Sequence, residues 1–178
     1  TKNIVDNNPK ADDHLTKVGK EQAKLAAQKI KNNYKIDFIY FSDFPRTTET
    51  AEIIAESLNL PKDHVIPEIG FREINTGVFN GGPVSAYHDY FSSLIEKFEK
   101  TPEGGENLTD LKKRTAKALL AIDEKYKNKN ILIVTHEYTA WMIYVGALGL
   151  SNKASVLEKE RRGDDFLKNA EFEELKFL

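Results

Sequence analysis

Ile131-Leu132-Ile133-Val134 is an unbroken aliphatic run between the polar pairs Lys129-Asn130 and Thr135-His136. It limits the possible folds more than any other stretch. A strand with one solvated face alternates apolar and polar residues, whereas a continuous run suits a strand covered on both faces, as in a parallel sheet between helices. A second run, Ile36 to Phe41, is short, apolar and aromatic, and Ser42-Asp43-Phe44-Pro45 ends it. Val65-Ile66 reads as a weaker strand, and Phe172 to Phe177 as a final edge strand.

Helical patterns fill the intervals. Thr16 can cap a helix whose apolar face holds Val18, Leu25, Ala26 and Ile30. Pro45 suits the first turn of a second helix, with Ala51, Ile54 and Leu58 buried. Tyr87 to Lys100 reads as helical. Asn107 can cap a long helix that buries Leu108, Leu111, Leu119, Ile122 and Tyr126. A further helix runs from about Tyr138 to Leu148, with Trp141 and Met142 as core or pocket wall. The charged stretch Ser151 to Lys168 reads as a solvated hairpin or loop. Strands alternating with helices imply an α/β fold, a three-layer α/β/α sandwich with a mostly parallel sheet. The 178 residues suit a single domain spanning 1–178.

Composition excludes several classes of function. With 26 basic and 28 acidic side chains the net charge is -2, so there is no electrostatic case for nucleic acid or an anionic membrane. The absence of cysteine rules out disulfides, thiolate metal sites and cysteine nucleophiles, and it fits a reducing, cytoplasmic setting. No apolar run approaches the roughly 20 residues of a membrane-spanning helix. His14, His64 and His88 form no metal-ligand spacing and are expected at the surface.

Parallel sheets bind ligands at the carboxyl ends of their strands. Chemistry is therefore expected just after Phe41 and just after Val134. His136 lies two residues beyond Val134 at the start of a helix, where free N–H groups favour an anion; the plainer alternative is a satisfied buried histidine. Arg46 falls in the first turn of a helix, an unfavourable place for a cation unless an anion lies there too. Its guanidinium fork suits phosphate or carboxylate, and the plainer alternative is a surface pair with Glu49. Glu73 sits in a loop that holds Gly70, Gly77, Gly81 and Gly82. A carboxyl beside a phosphoryl group gains the raised pKa of a general acid, and the plainer alternative is a solvated charge.

In order and over almost the whole chain, these pieces resemble the histidine phosphatase (phosphoglycerate-mutase-like) superfamily. Leu15-Thr16-Lys17-Val18-Gly19-Lys20-Glu21-Gln22-Ala23 resembles its Leu-Thr-x-x-Gly-x-x-Gln-Ala helix. The stretch Ser42 to Ala51 is similar to Ser-x-Leu-x-Arg-x-x-x-Thr-Ala, and Phe71-Arg72-Glu73-Ile74 with Gly77 and Gly81 to Leu-x-Glu-x-x-x-Gly-x-x-x-Gly. Pro102-Glu103-Gly104-Gly105-Glu106-Asn107 resembles Pro-x-Gly-Gly-Glu-Ser, and Val134-Thr135-His136 the motif of the second catalytic histidine.

The resemblance implies a phosphomonoester hydrolase for small phosphorylated metabolites. A first histidine, in an Arg-His-Gly motif, becomes a phosphohistidine. Arg46 and His136 would hold the phosphoryl oxygens and Glu73 would protonate the leaving oxygen, with no metal and no cofactor. Arg-His-Gly does not occur in these 178 residues. Asn3 stands where the family often has a substrate-contacting asparagine just after that motif, so the expectation is a further strand of roughly 5–6 residues and a turn preceding Thr1. Glu137 replaces a frequent glycine, and its carboxylate beside a phosphate pocket needs an offsetting cation such as Arg72. Two other functions remain open at this point. A mutase is disfavoured by the short segment between Gly82 and Pro102, and a non-catalytic phosphate-binding protein would follow if the nucleophile were absent.

Overall fold

The computed structural model describes residues 4–5, 8–9, 13–163 and 166–175. Thr16 caps α1 (Lys17–Asn33) by accepting from the Gly19 N–H at 3.1 Å. β1 (Phe38–Phe41) leads into α2 (Pro45–Leu58), which opens on a proline whose missing N–H would be unpaired there anyway. β2 (Val65–Pro67) follows, then α3 (Val84–Asp89). α4 (Leu108–Lys125) starts with a reciprocal cap: Asn107 Oδ1 accepts from Asp110 N at 2.9 Å, and the Asp110 carboxylate accepts from Asn107 N. β3 (Ile131–Val134), α5 (Glu137–Ala147) and α6 (Asn152–Arg162) complete the order.

Among the described residues the strands form one parallel sheet in the order β2-β1-β3, with Phe38 opposite Ile131 and Phe41 opposite Val134. Side chains alternate across it. Ile39, Phe41, Leu132 and Val134 pack against Ala27 and Ile30 of α1 and Ala51, Ile54 and Ala55 of α2. Phe38, Tyr40, Ile131 and Ile133 face the other way, onto Ala118 and Ile122 of α4 and Ile143 of α5. This is the α/β/α sandwich expected from the alternating elements. A further cluster beside the sheet centres on Trp141, Met142, Leu108 and Leu111 and includes Ile74 and Phe98. Among the described residues no helix is long and apolar enough to cross a membrane.

Several local expectations need correction. Val18 is 66% and Leu25 57% exposed, and α1 instead buries Ala23, Ala26, Ala27 and Ile30. Small side chains at that spacing let α1 lie close to Ala51 and Ala55 of α2, and close packing wins over side-chain hydrophobicity. Tyr87 to Lys100 is not one helix. α3 ends at Asp89, and Ser92 then takes the Glu96 carboxylate on both its N–H (2.5 Å) and its hydroxyl (2.8 Å). That contact starts a separate 3-10 turn, Glu96–Phe98.

The charged stretch from Ser151 is a helix, α6. Ser151 caps it, Ser155 and Lys159 are buried at its inner face, and Arg161 and Arg162 pair with Glu158. Residues 172–175 form no strand, and the rest of that expected edge strand lies outside the described residues, as does Asn3. Phe172 instead meets Tyr34 edge-on at 5.8 Å. β3 is half-buried over Ile131, Leu132 and Ile133, and among the described residues it pairs with β1 alone, leaving its second edge without a strand neighbour.

Two loops clasp each other at the carboxyl end of the sheet. Val78 N donates to Glu103 O and Glu106 N to Asn75 O, both at 2.9 Å. Gly77 has φ 58, and a Cβ there would stand 2.1 Å from Glu103 O and 2.6 Å from Gly105 N. Both contacts are to backbone, so no side chain can yield. Gly77→Ala is expected to cost at least about 3 kcal/mol, at the upper end of single-residue effects, read as a lowered urea midpoint.

Candidate functional site

β1 and β3 deliver the site. Ser42 N donates to Val134 O at 3.0 Å, so the two strand ends stay in step. The chain after β1 turns at Phe44 into α2 and places Arg46 in its first turn. The chain after β3 turns at His136, which precedes α5 with no side-chain cap of its own. The first N–H groups of α5 therefore lack helical partners, and the helix presents partial positive charge there.

Arg46 and His136 meet directly. Arg46 Nη2 donates to His136 Nδ1 at 2.9 Å, the other guanidinium arm pairs with Asp13, and the guanidinium lies 4.9 Å over the Phe44 ring. The alternative partner Glu49 is engaged elsewhere, by His14, Lys20 and the Leu15 N–H. His136 is 8% exposed, edge-on to Phe44 at 5.0 Å, with Nε2 2.8 Å from Ser42 Oγ. Arginine can only donate, so Nδ1 accepts and the proton of neutral His136 resides on Nε2. Burial, then the charges of Arg46 and Arg114, hold the imidazole well below its usual pKa. The tautomer settles one chemical question. With Nε2 protonated, His136 cannot accept a proton from Ser42, so the pair is not an activated serine nucleophile.

Glu73 follows a short 3-10 turn, Ile69–Phe71, and is half-buried. Its Oε1 accepts from Ile74 N at 2.9 Å and lies 3.2 Å from Thr139 Oγ1. Thr139 also stands 2.8 Å from Arg72 O and has a single hydroxyl proton to give. Desolvation raises the Glu73 pKa, opposed by the Ile74 and Thr139 contacts and by the Arg46 charge and reinforced by Glu137. A carboxyl of raised pKa thus shares the site with a cation and a neutral imidazole.

The sequence reading missed the brace that holds Glu73. Arg114 of α4 reaches Gly70 O (2.9 Å), Arg72 O (3.1 Å) and Glu73 O (3.3 Å), and its other donors grip the Glu106 carboxylate at 2.6 and 3.2 Å. Arginine on an exposed-looking helix carries no local signal of such a role. Its partner Glu106 does, as part of the Gly-Gly-Glu turn. Arg72, considered as a counter-charge for Glu137, is bound instead to Asp43 by two contacts of 2.6 and 2.5 Å, and this tethers the acid loop to the end of β1. The cation at Glu137 is Lys159, at 2.6 Å, and the same carboxylate oxygen accepts from Phe166 N at 3.3 Å. Glu137 thereby spans from α5 to α6.

His14 is exposed and paired with Glu49, His64 stacks on Phe38 at 4.3 Å, and His88 is exposed beside Tyr87. Among the described residues no group of three or more His, Asp or Glu could hold a metal ion. What is assembled can bind a tetrahedral oxyanion and protonate a leaving oxygen.

Comparison with known proteins matches residues 6–157 of the chain to the family model of the histidine phosphatase superfamily (branch 1). Phosphoserine phosphatase 1 of Hydrogenobacter thermophilus is 33% identical over 144 residues, which cover 78% of this chain and 66% of that protein. Phosphoglycerate mutase-like protein 4 of Arabidopsis thaliana is 31% identical over 131 residues, covering 70% of this chain and 56% of the relative. The chain thus spans less than two thirds of the length of these relatives. In structure, a mycobacterial glucosyl-3-phosphoglycerate phosphatase superposes with a TM-score of 0.73 at 19% identity, over 88% of this chain and 77% of the other. That likeness speaks to the fold.

The raised pKa of Glu73 has a consequence for stability. A carboxyl whose folded pKa exceeds its unfolded value stabilises fully below the unfolded pKa, and that contribution is lost as pH rises through the folded pKa. Glu73→Gln removes the penalty of the buried charge. The variant is expected to be more stable than the parent at pH 8, with the difference shrinking toward pH 4, as measured by urea denaturation across pH.

Proposed function

Because the chain belongs to the histidine phosphatase superfamily, we propose that it hydrolyses small phosphomonoesters through a phosphohistidine intermediate. The observation that carries this reading is the contact of Arg46 with neutral His136 at the joined ends of β1 and β3, with Glu73, its pKa raised by desolvation, in the same site. Arg46 and His136 bind the phosphoryl oxygens as charge spreads over them, and the open N-terminus of α5 adds to that field. Names of the relatives, a phosphoserine phosphatase among them, support the substrate class.

The reaction needs a nucleophile. We assign it to a histidine on a strand lying along the second edge of β3, the edge next to His136 that has no strand neighbour among the described residues. Its ring nitrogen forms the N–P bond as the ester O–P bond breaks, and the Glu73 proton goes to the leaving oxygen. Water then attacks phosphorus and gives its proton to the Glu73 carboxylate, and the N–P bond breaks to release inorganic phosphate. No metal enters these steps. Asn3, outside the described residues, is assigned to the substrate by its motif alone, and Glu137 is a wall of the site held by Lys159. The short connection from Gly82 to Pro102 favours entry of water over return of the phosphoryl group, so hydrolysis is preferred to mutase transfer. The lack of cysteine fits a cytoplasmic setting.

The test is phosphate release by the full-length protein from a panel of phosphomonoesters, with acid quench to trap phosphohistidine. Arg46→Ala and His136→Ala are each expected to lower kcat/KM about 10²–10³-fold. Glu73→Gln is expected to lower it about 10²–10⁴-fold for alkyl esters and less for p-nitrophenyl phosphate, whose leaving group needs no proton. Activity on alkyl esters is expected to fall as pH rises through the raised Glu73 pKa, because the acid must be protonated to act. A protein that releases no phosphate from any ester and traps no phosphohistidine overturns the reading.

A further inference from the structure

Both ring nitrogens of His136 are already engaged within the protein. Nδ1 accepts from Arg46 Nη2 at 2.9 Å, and the proton on Nε2 faces Ser42 Oγ at 2.8 Å. Ser42 is fully buried, so the second contact is sealed from solvent. Arg46 is engaged as fully, with one arm on Nδ1 and the other on the Asp13 carboxylate. The side chains of Arg46 and Asp13 are 28% and 38% exposed, so a solute arrives from their side. The two nitrogens of an imidazole point to different sides of the ring. An oxygen that reaches the Arg46 guanidinium beside the ring therefore meets Nδ1, the nitrogen that carries no proton.

An anion that takes over Arg46 Nη2 sets an oxygen lone pair against the lone pair of Nδ1. That contact turns from repulsive to attractive only when a proton lies between the two atoms. An imidazolium satisfies both sides at once: Nε2–H stays on Ser42, and Nδ1–H donates to the oxygen. The charged groups around the ring are Arg46 of α2 with Asp13 on its far arm, Arg114 of α4, Glu73 of the acid loop and Glu137 at the start of α5. Burial, and then the two arginines, hold the imidazole well below its ordinary pKa. A dianion seated on Arg46 offsets the nearer of those cations and favours the charged ring.

We propose that oxyanion binding at Arg46 is coupled to the uptake of one proton by Nδ1 of His136. The proposal rests on the phosphatase reading above for the place of the anion, and adds to it the proton that enters with the anion. Solvent supplies the proton to a dianion. A phosphate ester, with a second pKa of about 6, brings its own when it enters as the monoanion. Departure of the anion restores the Arg46 contact and returns the proton. Because the ring holds its proton more tightly in the complex, affinity for a dianion is full below the pKa of the complex. It falls by up to about tenfold per pH unit as pH rises through that value.

Inorganic sulfate is the probe, because it is tetrahedral and stays a dianion throughout the neutral range. Titration calorimetry of the full-length protein at pH 8, in two buffers of different ionisation enthalpy, counts the protons taken up. The parent is expected to take up about one proton per sulfate, with the dissociation constant rising toward high pH by the slope given above. His136→Asn keeps an N–H donor but no titrating ring, and is expected to bind sulfate with no proton uptake. Asp13→Asn, Glu73→Gln and Glu137→Gln remove the neighbouring acids and are expected to keep the uptake. Thermal melts confirm folding of each variant. Imidazole nitrogen NMR of the parent reads the same proton directly, with sulfate expected to convert His136 from the Nε2–H form to the imidazolium. Absence of sulfate binding, a ring that stays neutral with sulfate bound, or uptake that survives in His136→Asn overturns the proposal. Phosphate release is scored separately. Proton-linked sulfate binding without turnover of any ester upholds the coupling and defeats the phosphatase reading, and turnover with proton-free sulfate binding does the reverse.

Discussion

The parallel pairing of β1 with β3, register Phe41 to Val134, is the constraint on which the rest depends. Because the strands run the same way and stop together, the residues that follow each of them emerge at one edge of the sheet. Arg46 and His136 are 90 positions apart in sequence and 2.9 Å apart in space for that reason. A shift of β3 by one residue would turn Val134 and Leu132 from the α1–α2 core toward the α4–α5 core. It would also separate the guanidinium from the imidazole. Apolar burial on both faces thus sets the geometry of a polar contact that contributes little to holding the strands.

The electrostatics of the site favour an incoming anion. Burial and adjacent cations hold the His136 pKa well down, desolvation raises that of Glu73, and the Arg46 guanidinium lies against the imidazole. Among the described residues, an anion entering this region meets donors and two carboxylates already paired, Glu137 with Lys159 and Asp43 with Arg72. Such an arrangement is unfavourable to the empty protein, and that tension marks a site kept for binding rather than for stability.

Glu73 is held by its backbone more than by its side chain. Arg114 binds three carbonyls of the segment 70–73, Arg72 clamps the segment to Asp43, and the loop around Gly77 lies against the Gly104-Gly105 turn. The glycines and the glutamate of that turn have a common purpose. Gly77 and Gly105 permit two backbones to touch, and Glu106 neutralises the arginine that fastens the acid.

Sequence alone determined the layer order, the main strands β1 and β3, the caps at Thr16 and Asn107, and Arg46, Glu73 and His136 as the residues to examine. Those features are local: they follow from apolar periodicity, from side-chain oxygens near helix starts, and from motif order. Tertiary structure decided the rest. Alanines rather than Val18 and Leu25 face the core because helix separation, not hydrophobicity, set the contact. A charged segment packed as α6 because Lys159 found Glu137 and Arg162 found Glu173. Arg114 gained its role from carbonyls tens of residues away, where α4 meets the acid loop. Sequence periodicity records which face of an element is buried, but not which distant group a buried charge will meet, because that depends on packing formed only when the elements come together.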